Sequence, residues 1–178
     1  MRDRTLFLAL AVASLIVAGG ADASRQAVRW RVGLRSFGPI RYGMTLREAS
    51  RAVGARVERG VENAAEDCSF TSVPGAPRGT AFMVTGGRLV RVDVDTAGIP
   101  TVSGAQVGWS EEQVRSLYPG QVRTEAHPYT GPEGHYLVFV ARERADSAFG
   151  LIFETDGRRV LSYRAGRQPE VSWIEGCA

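Results

Sequence analysis

The chain contains no lysine: all 22 of its basic side chains are Arg, set against 19 acids, for a formal net charge of +3. These arginines are interspersed with the acids and build no contiguous run of five or six, which argues against a nucleic-acid footprint despite the basic balance. Histidine is scarce, with only His127 and His135. The residues between them include Pro128, Gly131, Pro132 and Gly134, a spacing that matches no helical or tight-hairpin ligand pair, so no metal site is expected. The sequence also lacks a Gly-rich phosphate loop, a nucleophile elbow and a zinc motif. No enzyme and no cofactor are therefore expected. Cysteine is limited to Cys68 and Cys177, neither of them in a C-x-x-C pair or a nucleophile context.

Long apolar runs are missing beyond the first residues. Arg2 and Arg4 precede the apolar stretch Leu6 to Val17, and Ala21-Asp22-Ala23 follows it. This is the pattern of a secretory signal cleaved near Ala23, and the stretch is short for a membrane span. No Cys stands near the expected cut, so neither a lipid anchor nor stable membrane insertion is expected. The expected location is periplasmic or extracellular. In that setting an even cysteine count predicts one disulfide, Cys68 to Cys177. Apolar content of 44% and charged content of 23% are those of a folded globular chain.

What is present is a motif that occurs twice, Tyr42-Gly-Met-Thr-Leu-Arg-Glu-Ala49 and Val107-Gly-Trp-Ser-Glu-Glu-Gln-Val114. Thr45 with Glu48, and Ser110 with Gln113, are capping boxes that start two short helices, with Met44 and Trp109 as hydrophobic staples. Gly54 and Pro119-Gly120 are placed to end them. Each helix is followed by a strand pattern, around Cys68 to Thr71 and Tyr136 to Ala141, and then by a hairpin pattern. The hairpin turns are Thr85-Gly86-Gly87-Arg88 and Thr155-Asp156-Gly157-Arg158, read as two-residue turns that need positive φ. The second copy is longer, and its extra residues are expected in the loop at 127–134.

The expected fold class is α+β: two tandem helix-plus-three-strand units forming one antiparallel sheet with both helices on one face. The expected division is a signal at 1–23, an N-terminal strand segment at 24–37, units at 38–100 and 101–166, and a tail at 167–178. Val28, Trp30, Val32 and Leu34 alternate with polar residues and predict a strand at a sheet edge.

Strict alternation from the turn at Gly86-Gly87 puts Ala81, Met83, Val90, Val92 and Val94 under the helices. The opposite side then carries Phe82, Val84, Leu89, Arg91 and Asp93. In the second hairpin Leu151, Phe153 and Val160 are core, with Ile152, Glu154, Arg159, Leu161 and Tyr163 opposite. Phe82, Leu89, Arg91, Asp93, Arg159, Leu161 and Tyr163 thus form a candidate partner face, a mixture of aromatic, Arg and acid typical of interfaces. The N-terminal strand or the tail with Trp173 and Ile174 is the alternative, as a cover over that face. Asp93 and Asp95 share a strand face and suit acid/base chemistry only in outline.

The tandem G-M-T-x-x-E-A and G-W-S-E-E-Q-V motifs, each closed by G-G-R-L-V-R-V or D-G-R-R-V-L-S, resemble the β-lactamase inhibitory protein-like and SmpA/OmlA-like bacterial envelope domains. The resemblance spans about residues 38–165. It implies helix-plus-sheet units and a role in binding proteins, here an unknown protein partner in the cell envelope or outside the cell. A small-molecule carrier, or a hydrolase using Asp93 and Asp95, is the alternative expectation.

Overall fold

The computed structural model describes residues 29–60 and 67–177. The expected signal, its cleavage site and Val28 lie outside the described residues.

Two short strands, β1 (Ser36–Phe37) and β2 (Ile40–Arg41), form a small hairpin, and β3 (Met44–Thr45) leads into helix α1 (Leu46–Val53). Three strands follow: β4 (Cys68–Thr71), β5 (Thr80–Thr85) and β6 (Arg88–Val94). After helix α2 (Glu111–Leu117) come β7 (Val122–Ala126), β8 (His135–Phe139), β9 (Phe149–Thr155) and β10 (Val160–Arg167). A 3-10 turn at Glu170–Ser172 follows β10. The sheet runs β4-β5-β6-β10-β9-β8-β7, with β3 added beside β6, and its pairings are antiparallel. The architecture is α+β and mainly antiparallel sheet.

Local chemistry explains both helix starts. Thr45 Oγ1 accepts from the backbone N–H of Glu48 (3.2 Å), while Glu48 Oε2 accepts from that of Thr45 (2.8 Å). Ser110 and Gln113 repeat this reciprocal pair at 3.2 and 2.8 Å. Each box satisfies N–H groups that a helix leaves unpaired, worth about 1 kcal/mol. Gly54 closes α1 in the left-handed conformation, φ 70°.

Ala49 and Val114 from the two helices join one core cluster with Phe82, Val84, Leu89, Val92, Leu151, Phe153 and Tyr163 from the sheet. The helices thus fix which side of the sheet is inside.

That core differs from strict alternation in one respect with a definite cause. Thr85 pairs with Arg88 and Val84 with Leu89, as the turn demands, but Met83 then pairs with Arg91, leaving Val90 as an inserted residue. A β-bulge reverses the phase of everything beyond it. Leu89 and Val92 therefore both face the helices, together with Phe82 and Val84, whereas Met83, Arg91 and Asp93 face away. In β10 a second shift falls between Val160 and Ser162, at Leu161. It turns Tyr163 inward beside Phe153 (ring centroids 5.4 Å) and Arg164 outward.

Three further expectations are corrected. The N-terminal segment is not an edge strand. Val32 is buried and makes isolated bridges to Phe37 and Thr101, and Trp30 packs on Phe37 (4.9 Å). The sheet instead ends in β4 and β7, and β7 is a strand that the three-strand pattern did not include. At the second hairpin the loop spans 156–159, because Thr155 pairs with Val160. There the Asp156 carboxylate accepts from the N–H groups of Arg158 and Arg159, and Gly157 takes the positive φ of 88°.

Candidate functional site

The side of the sheet away from the helices is crossed by the C-terminal tail. The seat for the 3-10 turn is made by glycine: a β-carbon on Gly150 of β9 would lie 2.8 Å from Val171 Cγ1. On β10, Gly166 lets the bulged strand approach, since a β-carbon there would lie 2.4 Å from the Val90 carbonyl oxygen. Val171 sits on this bare strip with Tyr136 and Ile152. Beyond it, Cys68, Met83, Val90 and Cys177 form a second small cluster.

Two buried arginines hold the strap through its backbone. Arg91, 4% exposed, donates from Nη1 to the carbonyls of Glu170 (3.0 Å) and Trp173 (2.6 Å), and from Nε to Asp93 Oδ2 (2.9 Å). Arg164, 5% exposed, donates from Nε to the Val171 carbonyl (2.8 Å) and lies over the Tyr136 ring at 5.0 Å. Arg can do this because its guanidinium presents several donors in a fixed plane and stacks on aromatic faces. Burial raises the Asp93 pKa, an effect that the Arg91 charge partly offsets. Burial likewise lowers that of Arg164.

Beyond Arg164 stands Glu154 (3.6 Å), whose Oε1 lies 3.0 Å from the buried His127 Nε2 but outside hydrogen-bond geometry. His127 Nδ1 accepts from the backbone N–H groups of Tyr129 (3.1 Å) and Thr130 (3.2 Å). The ring proton of neutral His127 therefore resides on Nε2. Loop 127–134 is thereby anchored to the same face, and the Tyr129 hydroxyl donates to Glu175 of the tail. The Cys68–Cys177 disulfide locks the far end of the tail, closing a sequence separation of 109.

The strap leaves an open cleft of about 560 Å³ between Tyr129, Thr85, the segment 172–176 and the disulfide. Large apolar side chains stand exposed around it: Tyr129 65%, Ile174 45% and Trp173 37%. A second cleft of about 150 Å³ on the other side of Ile174 is walled by Arg123, Tyr136, Ile152 and Arg164.

The structure does not gather the seven residues of the expected partner face. Phe82, Leu89 and Tyr163 are in the main core: the bulge at Val90 brings Val92 and Val94 onto the side of Phe82 and Leu89, which is the helix side, and the bulge at Leu161 turns Tyr163 to it. Arg91 is covered by the tail and Asp93 is committed to it. Arg159 and Leu161 are exposed at the start of β10, where Arg159 donates to the Gly108 carbonyl (3.1 Å). Asp93 and Asp95 do line one cleft of about 200 Å³ with Gly79, Thr80 and Ser162.

His135 pairs with Glu111 (2.8 Å), which also accepts from Thr155 and from Arg115 (3.1 Å). Burial opposes ionisation of Glu111, but hydrogen bonds from Thr155, His135 and Arg115 outweigh it and its pKa is lowered. Among the described residues no three His, Cys, Asp or Glu side chains converge as metal ligands. Sequence reasoning did not single out Arg164, Tyr129 or Glu111, and placed Glu154 on the outer side without a role. The one available signal was the loop Tyr129-Thr130-Gly131-Pro132, whose aromatic residue stands in a stretch otherwise built of turn formers.

No family model matches the sequence, and no curated protein matches it. Among solved structures, an extracellular protein containing an SCP domain, from Bacillus anthracis, is similar at 11% identity and TM-score 0.42, over 71% of this chain and 44% of that one. The chain thus spans less than half the length of that protein. The uncharacterized protein yfeY from Escherichia coli is similar at 15% identity and TM-score 0.47, over 78% of this chain and 99% of that one. Likenesses this remote say nothing of activity.

Proposed function

We propose that this is an exported, non-enzymatic binding protein that engages a protein partner in the cell envelope or outside the cell, through the strapped face of its sheet. The observation that carries the reading is the grouping around one cleft of exposed Trp173 and Ile174, on a segment held by a disulfide and two buried arginines, with exposed Tyr129, bonded to that segment through Glu175. Aromatic anchors on a pre-ordered backbone bind without a large ordering cost. Export is supported by the disulfide, a bond that persists in oxidising compartments. Tandem units at 38–100 and 101–166, in the manner of the inhibitory-protein-like and SmpA/OmlA-like domains, are supported by two features. The capping boxes recur, and each hairpin carries a bulge in its second strand, at Val90 and Leu161.

The test is capture from the exported fraction by wild-type protein and by Trp173→Ala, Tyr129→Ala and Val102→Ala variants. Val102 is exposed at 66% but stands outside the strapped cleft. A partner retained by wild type and Val102→Ala but lost with Trp173→Ala and Tyr129→Ala supports the proposal. Retention by all four sinks it. The cleft volume also lies in the range of small-molecule sites. Stabilisation of the protein by an apolar ligand library, lost in Trp173→Ala, would favour a carrier instead.

A further inference from the structure

The two ends of the sheet are finished differently. Beside β4 the chain segment before it returns: Thr71 Oγ1 donates to the Glu58 carbonyl (2.6 Å), and a β-carbon on Gly60 would lie 1.7 Å from the Phe70 carbonyl oxygen. Beside β7 no described residue pairs. Gln121 accepts from Val140 (2.8 Å) and His127 donates to Gly134 (2.9 Å), so the odd-numbered residues turn their backbone groups toward β8. The register between them is unbroken. Alternation therefore sends the N–H and C=O groups of Val122, Thr124 and Ala126 outward. Thr124 and Ala126 are exposed. An open edge of this kind is a template for another strand.

The charges on β7 select which strand. Arg123 and Glu125 lie on the face away from the helices and currently pair with each other (2.6 Å), with side chains 63% and 45% exposed. We propose that β7 pairs antiparallel with β7 of a second copy of this chain, centred on Thr124, to give a two-fold dimer with one continuous sheet. In that register Thr124 faces its own copy and Val122 faces Ala126. Arg123 faces Glu125 in both directions, at the non-hydrogen-bonded positions where opposed side chains approach most closely. Sliding the strands by one pair centres the contact on Arg123 or on Glu125 and opposes like charges. Parallel pairing also brings Arg123 alongside Arg123. The edge is self-complementary in one register only, as an isologous contact requires. A single short strand pair buries little area, so the dimer is weak and depends on concentration.

Sedimentation velocity on protein recovered from the exported fraction, from micromolar to millimolar concentration, reads the equilibrium directly. Three variants define the contact. Thr124→Pro removes an outward N–H without taking a bond from β8 and abolishes association. Arg123→Glu and Glu125→Arg each oppose like charges twice and weaken association by about tenfold or more. Mixing the two charge variants restores opposite charges at both positions and recovers a mixed dimer of near wild-type affinity. A protein that remains monomeric at millimolar concentration overturns the proposal. So does association that survives Thr124→Pro, or charge variants that weaken it alone yet fail to recover on mixing.

Discussion

Glu111 shows how one side chain couples a helix to the sheet. It is the first residue of α2, where a negative charge favours the helix dipole, and its carboxylate takes bonds from His135 of β8 and Thr155 of β9. Its pKa is lowered in the folded protein. The stabilisation is thus fully present above the unfolded-state pKa of about 4.3 and is lost as pH falls through the lower folded value. Glu111→Gln is expected to cost about 1 to 2 kcal/mol at neutral pH and little in strong acid. Urea unfolding at a series of pH values checks this. A constant difference between wild type and variant across the acid range would show that the charge is not responsible. Helix capping is also settled at this scale, and it was legible. Thr45 with Glu48 and Ser110 with Gln113 lie within one helical turn, so short-range sequence states both partners. Glu111 was not legible, because its partners lie in strands that reach it only through the fold.

At the scale of elements the tail is a strap held by carbonyl-reading arginines. Arg91→Ala removes donors to Glu170 and Trp173 and leaves the partly buried Asp93 unpaired. The expected loss is about 3 kcal/mol, the lower end for a broken buried pair because Asp93 keeps some solvent contact. Hydrogen exchange is the sharper measurement: amides at 170–176 should lose protection while those of β9 and β10 keep theirs. Equal loss throughout would mean that the tail and the sheet unfold as one unit.

Both hairpins could be placed from Gly86-Gly87 and Asp156-Gly157, though the second loop is two residues longer than its Asp-Gly pair suggests, and which side of each strand is buried could not be read. One inserted residue at Val90 and another at Leu161 exchange the two faces, and a bulge is chosen by cross-strand packing rather than by local pattern. The doublet Leu89-Val90 before the alternating Arg91-Val92-Asp93-Val94 is the trace of it that the sequence carries. The candidate surface escaped for a related reason. It is made by a tail, a loop and two buried arginines that are far apart in the chain. β7 was missed because the strand is short, carries little apolar surface and is mostly exposed, the character of a strand at a sheet edge.

At the scale of the whole molecule, the disulfide connects β4, at one end of the sheet, to a tail that first crosses the central strands. Opening it removes the constraint on a loop with a sequence separation of 109. The chain-entropy account assigns roughly 4 to 5 kcal/mol to a loop of that size. A Cys68→Ser, Cys177→Ser double variant is therefore expected to unfold at markedly lower urea with an unchanged core, because the main cluster of helices and inner sheet face contains neither cysteine. The consequence for binding separates stability from function. The strap keeps its seat on Gly150 and its bonds to Arg91 and Arg164, but the segment after Trp173 is released, and with it Glu175, the partner of Tyr129. Partner capture should then fall under conditions where circular dichroism still reports a fully folded sheet. Addition of reductant to the wild-type protein should reproduce the loss, and reoxidation should reverse it. Capture that persists undiminished in the folded double variant would place the contact surface away from the far end of the strap.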